Sequence, residues 1–314
     1  MKILQPYLDF FQKDIWEKET EGKPLKNFFY KFLRILISSV KGFLNDKGFD
    51  KASTLTFYFL LSLIPLVAIG FGIAQELGFA EQFKEQVKAQ LSSQPQVAEK
   101  IIEFSDATLK TTKGGIIAAF GFLVLIWTVL RMIGNISSFF NEIWKVESRT
   151  LWQQIKSYVP MILLFPIFLV GSSSALVYMS ETAINFIESV KFLSFLGPLV
   201  TYLFQFVAYL VSWGFLSFIY IYLPNTDVSW KAGMVAGIIT GLIYLLWQWV
   251  YITFQVNASS YGVIYGSFAA IPLFMIWLNY SWLIIIFGAE LTYQIQNDQN
   301  PNKKSLENKK ESKT

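Results

Sequence analysis

Six nearly unbroken apolar stretches divide the chain, running from about Ala52 to Ala74, Gly115 to Ile136, Ser157 to Met179, Pro198 to Leu223, Ala232 to Val256 and Phe268 to Tyr293. Each is close to the ~20 residues that a helix needs to cross a hydrocarbon layer roughly 30 Å thick. Inside lipid every backbone donor and acceptor must be satisfied within the segment, so such stretches are expected as helices. The pattern predicts an all-α, polytopic membrane protein with about six transmembrane helices.

The flanking segments carry a different pattern. Between Gly22 and Asn45 the apolar positions Leu25, Phe28, Phe29, Phe32, Leu33, Leu36, Val40, Phe43 and Leu44 recur at helical spacing. Asn27, Lys31, Arg34, Ser38 and Lys41 fall on the opposite face, and the stretch holds no acid. This is an N-terminal basic amphipathic helix. Two placements suit it: in the membrane interface, with Lys26, Lys31, Arg34 and Lys41 on anionic headgroups, or against the protein's own cytoplasmic end. The loop 76–114 shows Phe83, Val87 and Leu91 four residues apart, then Val97, Ile101 and Phe104 after Pro95. It predicts two short amphipathic helices on the extracytoplasmic face, as a lid over a cavity or as a plain surface hairpin. The layout is therefore a cytoplasmic region 1–50, a six-helix domain 51–294 that includes this loop, and a Lys-rich disordered tail 295–314.

Charge orients the bundle. Of 26 Lys and Arg, 20 fall on the side that holds both termini and 6 on the other. The positive-inside rule then puts both termini in the cytoplasm. The segment before the first span is polar and of mixed charge, so no cleavable signal peptide is expected. Only 15% of residues are charged and 54% are apolar, against roughly 25% charged in soluble domains. The absence of Cys and His removes thiol nucleophiles, imidazole catalysis and Cys/His zinc sites. A net charge of +4 makes no case for nucleic acid. No cofactor, metal or enzymatic activity is expected.

Polar groups inside a membrane are costly and need a reason. Arg131 and Glu290 fall near the cytoplasmic ends of the second and sixth segments, at depths that suggest pairing. The pair reads as a gate or ion-coupling site, or as a structural ion pair. Pro65, Pro160 and Pro166 each remove a backbone donor, which kinks a helix or frees carbonyls along a wet path. Ser172, Ser173 and Ser174 read first as helix-packing contacts. Gly233, Gly237 and Gly241 form two overlapping small-xxx-small units that permit close helix approach, within the chain or in a homo-oligomer. Tyr261 to Ser267 holds two Tyr-Gly pairs and predicts a turn before the sixth span.

Four groups of residues resemble the YihY/virulence factor BrkB family of bacterial inner-membrane proteins. They are Ala52 to Tyr58 with Leu61 to Pro65; Arg131 with Phe140-Asn141-Glu142-Ile143-Trp144 and Arg149; Tyr222-Leu223-Pro224-Asn225-Thr226 with Trp230 to Gly233; and Tyr261 to Pro272 with Trp277, Trp282 and Phe287 to Glu290. The resemblance implies six helices with cytoplasmic termini, and it adds Asn141 and Asn225 to Arg131, Glu290 and Pro65 as candidate transport or gating residues. Some members once carried a ribonuclease label, which the missing His and metal-ligand cluster argue against here. Others are linked to serum resistance or envelope lipid handling. The leading expectation is transport or handling of an envelope lipid, amphiphile or small solute, with membrane lipids as partners. The alternatives are a scaffold that moves nothing and, third, a membrane-embedded hydrolase.

Overall fold

The computed structural model describes residues 24–91, 95–111, 115–160, 162–163, 197–257 and 270–299. Eight helices have both ends within them: α1 Pro24–Asn45, α2 Gly48–Glu76, α3 Ala80–Gln90, α4 Pro95–Thr111, α5 Gly115–Trp144, α6 Gly197–Tyr222, α7 Trp230–Asn257 and α8 Ala270–Gln299. Residues 151–160 are helical as well. No strand occurs among the described residues.

Helices α2, α5, α7 and α8 are long and apolar enough to span a membrane, and α6 adds the apolar stretch Tyr209–Tyr222. Five of the six apolar segments are thus continuous helices. Most of the third, with Pro166 and Ser172 to Ser174, lies outside the described residues, as do Tyr261 to Ser267. α8 continues through Gln299, past the start at 295 expected for the tail. Its last turns have partners: Gln296 donates to the Asp227 carbonyl at 3.0 Å, and Asp298 lies 2.6 Å from the Lys31 ammonium.

The membrane helices converge at one end, called here the charged end, where α1 gives way to α2, α5, α6 and α8 finish, and α7 begins. Helices α6 and α7 pack closely through the glycine stripe. A Cβ at Gly233 would overlap Ile221, one at Gly237 would overlap the Ser217 hydroxyl, and one at Gly241 would overlap the Trp213 ring. The neighbour of this stripe is therefore α6 of the same chain. Gly288 of α8 sits against Tyr220 of α6 and Thr240 of α7, where three helices meet. Backbones brought this close gain dispersion contacts that lipid cannot match, which is what holds helices together in a membrane.

At the opposite end α3 and α4 pack along α2. Phe83, Val87 and Ile101 are buried against Val67, Phe71 and Ala74, whereas Phe104 is exposed. Ser105 donates to the carbonyls of Ile101 at 2.6 Å and, more weakly, Ile64 at 3.4 Å, beside Pro65. Lys84 lies 3.0 Å from Glu81 and 3.8 Å from Asp106, with its ammonium 4.8 Å from the centre of the Phe71 ring. The hydrogen bond that Lys84 donates to Glu81 raises the Lys84 pKa above its usual value against the opposing effect of burial, and Asp106 adds to the rise. The hairpin is fastened to α2 by the apolar seam and the Lys84–Phe71 contact, while the Lys84–Asp106 ion pair joins α3 to α4.

Helix α1 has two uses at once. Tyr30, Ser39 and Phe43 are buried where it packs antiparallel to α8. Phe28, Phe29, Phe32, Val40 and Leu44 are exposed apolar residues of the same helix.

Candidate functional site

The charged end is built from helix termini. Between α1 and α2 the chain reverses through Lys47, at φ 55° and ψ 47°. This is the left-handed region, which normally favours Gly or Asn and costs roughly 1–2 kcal/mol for other residues. Lys145 repeats it at φ 54° after the last turn of α5. There Val146 N–H reaches back to the Asn141 carbonyl at 2.9 Å, which closes the helix in a Schellman pattern. Both left-handed lysines therefore stand at the same end of the bundle.

The first turns of α2 and the last turns of α5 face each other across an open cleft of about 440 Å³. The α1–α2 turn contributes Asn45, Asp46 and Lys47. α2 adds Asp50, Lys51 and Thr54, and α5 adds Phe139 and Glu142. Asp50 in the first turn of α2 complements the positive end of the helix dipole. Lys51 Nζ lies 3.0 Å from Glu142 Oε2, with the lysine side chain 9% exposed and the glutamate 55%. Its ammonium also lies 5.8 Å from the Phe139 ring centre. A buried cation held by a carboxylate at the rim links α2 to α5.

Glu290 stands behind this cleft. It is 2% exposed, and its Oε1 accepts from Gln294 Nε2 at 2.9 Å, while its Oε2 has no hydrogen-bond partner. Gly42 of α1 lies directly on the carboxylate, and a Cβ there would overlap it. Asp46, Lys51 and Lys145 are the charged groups that act on it. Arg131 is not among them. Its guanidinium is exposed and stacks 5.3 Å from the Trp127 ring centre. The expected pairing of Arg131 with Glu290 does not form, for a geometric reason. α5 runs on to Trp144, so Arg131 sits about 20 Å short of the charged end at 1.5 Å per residue.

Asn141 and Asn225 are brought together. Asn141 Oδ1 accepts from Asn225 N–H at 2.7 Å, and Asn225 Nδ2 donates to the Glu147 carbonyl at 3.0 Å. They join the end of α5 to the turn after α6. Arg149 completes this latch. Its guanidinium donates to the carbonyls of Leu223 at 2.6 Å, Pro224 at 3.0 Å and Tyr222 at 3.3 Å. A cation on the last carbonyls of α6 complements the negative end of that helix. Ser137 also donates to the Leu223 carbonyl, at 2.8 Å. Pro65 lies far along α2 from both clusters. Sequence reading missed the cleft pair Lys51–Glu142 and the capping role of Arg149, although Glu142 and Arg149 stood among the residues that carried the family resemblance.

The fold and this end of the bundle define an all-α, polytopic integral membrane protein. Residues 39–313 match the virulence factor BrkB family, and the chain belongs to it. It is 30% identical over 286 residues to a UPF0761 membrane protein of Psychrobacter sp. (strain PRwf-1), covering 85% of this chain and 48% of that one. A UPF0761 membrane protein of Mannheimia succiniciproducens is 28% identical, with 80% and 85% covered, and one of Haemophilus influenzae is 26% identical, with 80% and 91% covered. The chain thus spans about half the length of some curated relatives and most of others. No solved structure matches it.

Proposed function

We propose that this protein works in the bacterial inner membrane, with both termini in the cytoplasm, and handles an envelope lipid or related amphiphile without enzymatic chemistry. The observation that carries the reading is the open cleft of about 440 Å³ at the charged end. Its volume falls in the range of small-molecule sites, roughly 300–1,000 Å³. It combines charged groups at the mouth with exposed apolar helix faces beside it, as an amphiphile requires. The excess of Lys and Arg on the side of both termini supports the orientation, which puts the cleft at the cytoplasmic interface.

The amphipathic α1 supports a membrane-facing role. Phe28, Phe32, Val40 and Leu44 are exposed, with Lys26 and Lys41 exposed on the same helix, an arrangement suited to anionic headgroups. A small solute is the second choice of substrate. The scaffold reading loses its main sequence support, because Gly233, Gly237 and Gly241 are engaged by α6 within the chain.

The test is reconstitution of the full chain into liposomes that carry acyl-labelled phospholipids, followed by quenching of the outer-leaflet label. Transbilayer movement above that in empty liposomes supports the reading. Movement equal to that in empty liposomes for every phospholipid class refutes it.

A further inference from the structure

The cleft carries charges of both signs, and this narrows its occupant. Lys47 and Lys51 line it together with Asp46, Asp50 and Glu142, and Lys51 is bonded to Glu142 across it. A purely anionic headgroup would bring its charge against three carboxylates, and a purely cationic ligand would meet two ammonium groups. Like charges brought together in this way are destabilising. A divalent cation is a poor fit, because no group of three or more carboxylates among the described residues is placed to hold one. A ligand with a phosphate and a primary ammonium a few bonds apart satisfies both sets at once.

The surroundings fit a lipid that bears such a headgroup. On α2, Asp50 and Thr54 at the cleft continue at spacings of three and four residues into Phe57, Tyr58 and Leu61. Phe57 is 59% exposed and Leu61 57%, so one face of the helix runs from charged to apolar away from the charged end. Phe57 and Tyr58 stack edge to face, 5.8 Å between ring centres. A headgroup in the cleft would direct its acyl chains along this face.

We propose that the cleft seats the headgroup of a zwitterionic aminophospholipid, with its phosphate toward Lys47 and its ammonium toward Asp50, beside the bonded Lys51–Glu142 pair. The inference rests on the lipid-handling reading for the kind of occupant, and on the charge pattern for the headgroup. Lys51 keeps its bond to Glu142 and presents the pair to the ligand, whereas Lys47 and Asp50 at the exposed rim supply the freer charges.

The experiment is native mass spectrometry of the full chain in mild detergent, offered equimolar phosphatidylethanolamine, phosphatidylglycerol and phosphatidylcholine with matched acyl chains. Charge-assisted hydrogen bonds from a primary ammonium, which choline cannot donate, predict that phosphatidylethanolamine is retained about fivefold or more over both others. The exposed-rim variant Lys47→Gln/Asp50→Asn spares the Lys51–Glu142 pair, so it should fold, and should lose that preference. Retention of phosphatidylglycerol above phosphatidylethanolamine, equal retention of phosphatidylethanolamine and phosphatidylcholine, or an unchanged preference in the folded variant would each overturn the proposal. Selective retention without transbilayer movement in liposomes sinks the proposed function and leaves this site standing; movement without selectivity does the reverse.

Discussion

Removing either partner of the Lys51–Glu142 pair should have unequal effects, and the asymmetry follows from burial. The Lys51 side chain is 9% exposed and that of Glu142 55%. Glu142→Gln leaves a buried cation without its nearest counter-charge, and breaking a fully buried pair in this way costs about 3–5 kcal/mol. The exposed rim and the remaining carboxylates of Glu290 and Asp46 reduce that here to about 2 kcal/mol. Lys51→Met keeps the apolar stem and leaves Glu142 free to hydrate at the surface, so its cost should stay under ~1 kcal/mol. In a chain of this size 2 kcal/mol corresponds to a Tm shift of roughly 3 °C. Thermal unfolding of the detergent-solubilised protein, followed by loss of the monodisperse peak on size exclusion, reads this directly. The double variant should be no less stable than Lys51→Met alone, because the stranded charge is gone. If Lys51→Met destabilises as much as Glu142→Gln, the argument from a buried, partner-dependent cation is wrong.

Three further outcomes are expected. Gly42→Ala should weaken the seat of α1 on α8 by about 1–3 kcal/mol through overpacking, and Glu290→Ala should restore much of it, as a double-mutant cycle would show; no recovery would mean that Gly42 does not meet Glu290. Arg149→Ala should cost about 2–4 kcal/mol, since it strands carbonyls at the end of α6, and Arg149→Lys should recover only part, because an ammonium cannot fork across Leu223 and Pro224; full rescue by Lys on the same thermal assay would refute the fork. Gly237→Val should force α6 and α7 apart and lower the yield of folded protein more than Ile238→Val, a change at an exposed neighbour; equal yields would argue against close packing.

The spanning helices were legible because lipid leaves the backbone no alternative to helix once an apolar run is long enough. The same reasoning exposed the glycine stripe, since spacing alone puts Gly233, Gly237 and Gly241 on one face. Hydropathy failed at the ends. It closed the second segment at Ile136, because Ser137, Ser138, Asn141 and Glu142 are polar, yet α5 continues to Trp144 with those residues facing protein partners. That misplacement brought Arg131 too near the charged end and created the expected pairing with Glu290. The hairpin helices were visible in their periodicity, but their seam on α2 was not, and Phe104 shared the apolar spacing without sharing the burial. The Lys51–Glu142 bond and the capping by Arg149 depend on which helices become neighbours, and that is fixed by packing between segments far apart in the chain. Charge counting treated those basic residues as flanking charges alone.

The central claim, that the cleft at the charged end handles a membrane lipid, is tested most directly by comparing wild type with Lys47→Gln/Asp50→Asn in the same liposome assay at matched reconstitution. The account predicts faster transbilayer movement of acyl-labelled phosphatidylethanolamine with wild type than in empty liposomes, and a clear reduction with the folded variant. Wild type indistinguishable from empty liposomes, or a variant as active as wild type, would contradict it.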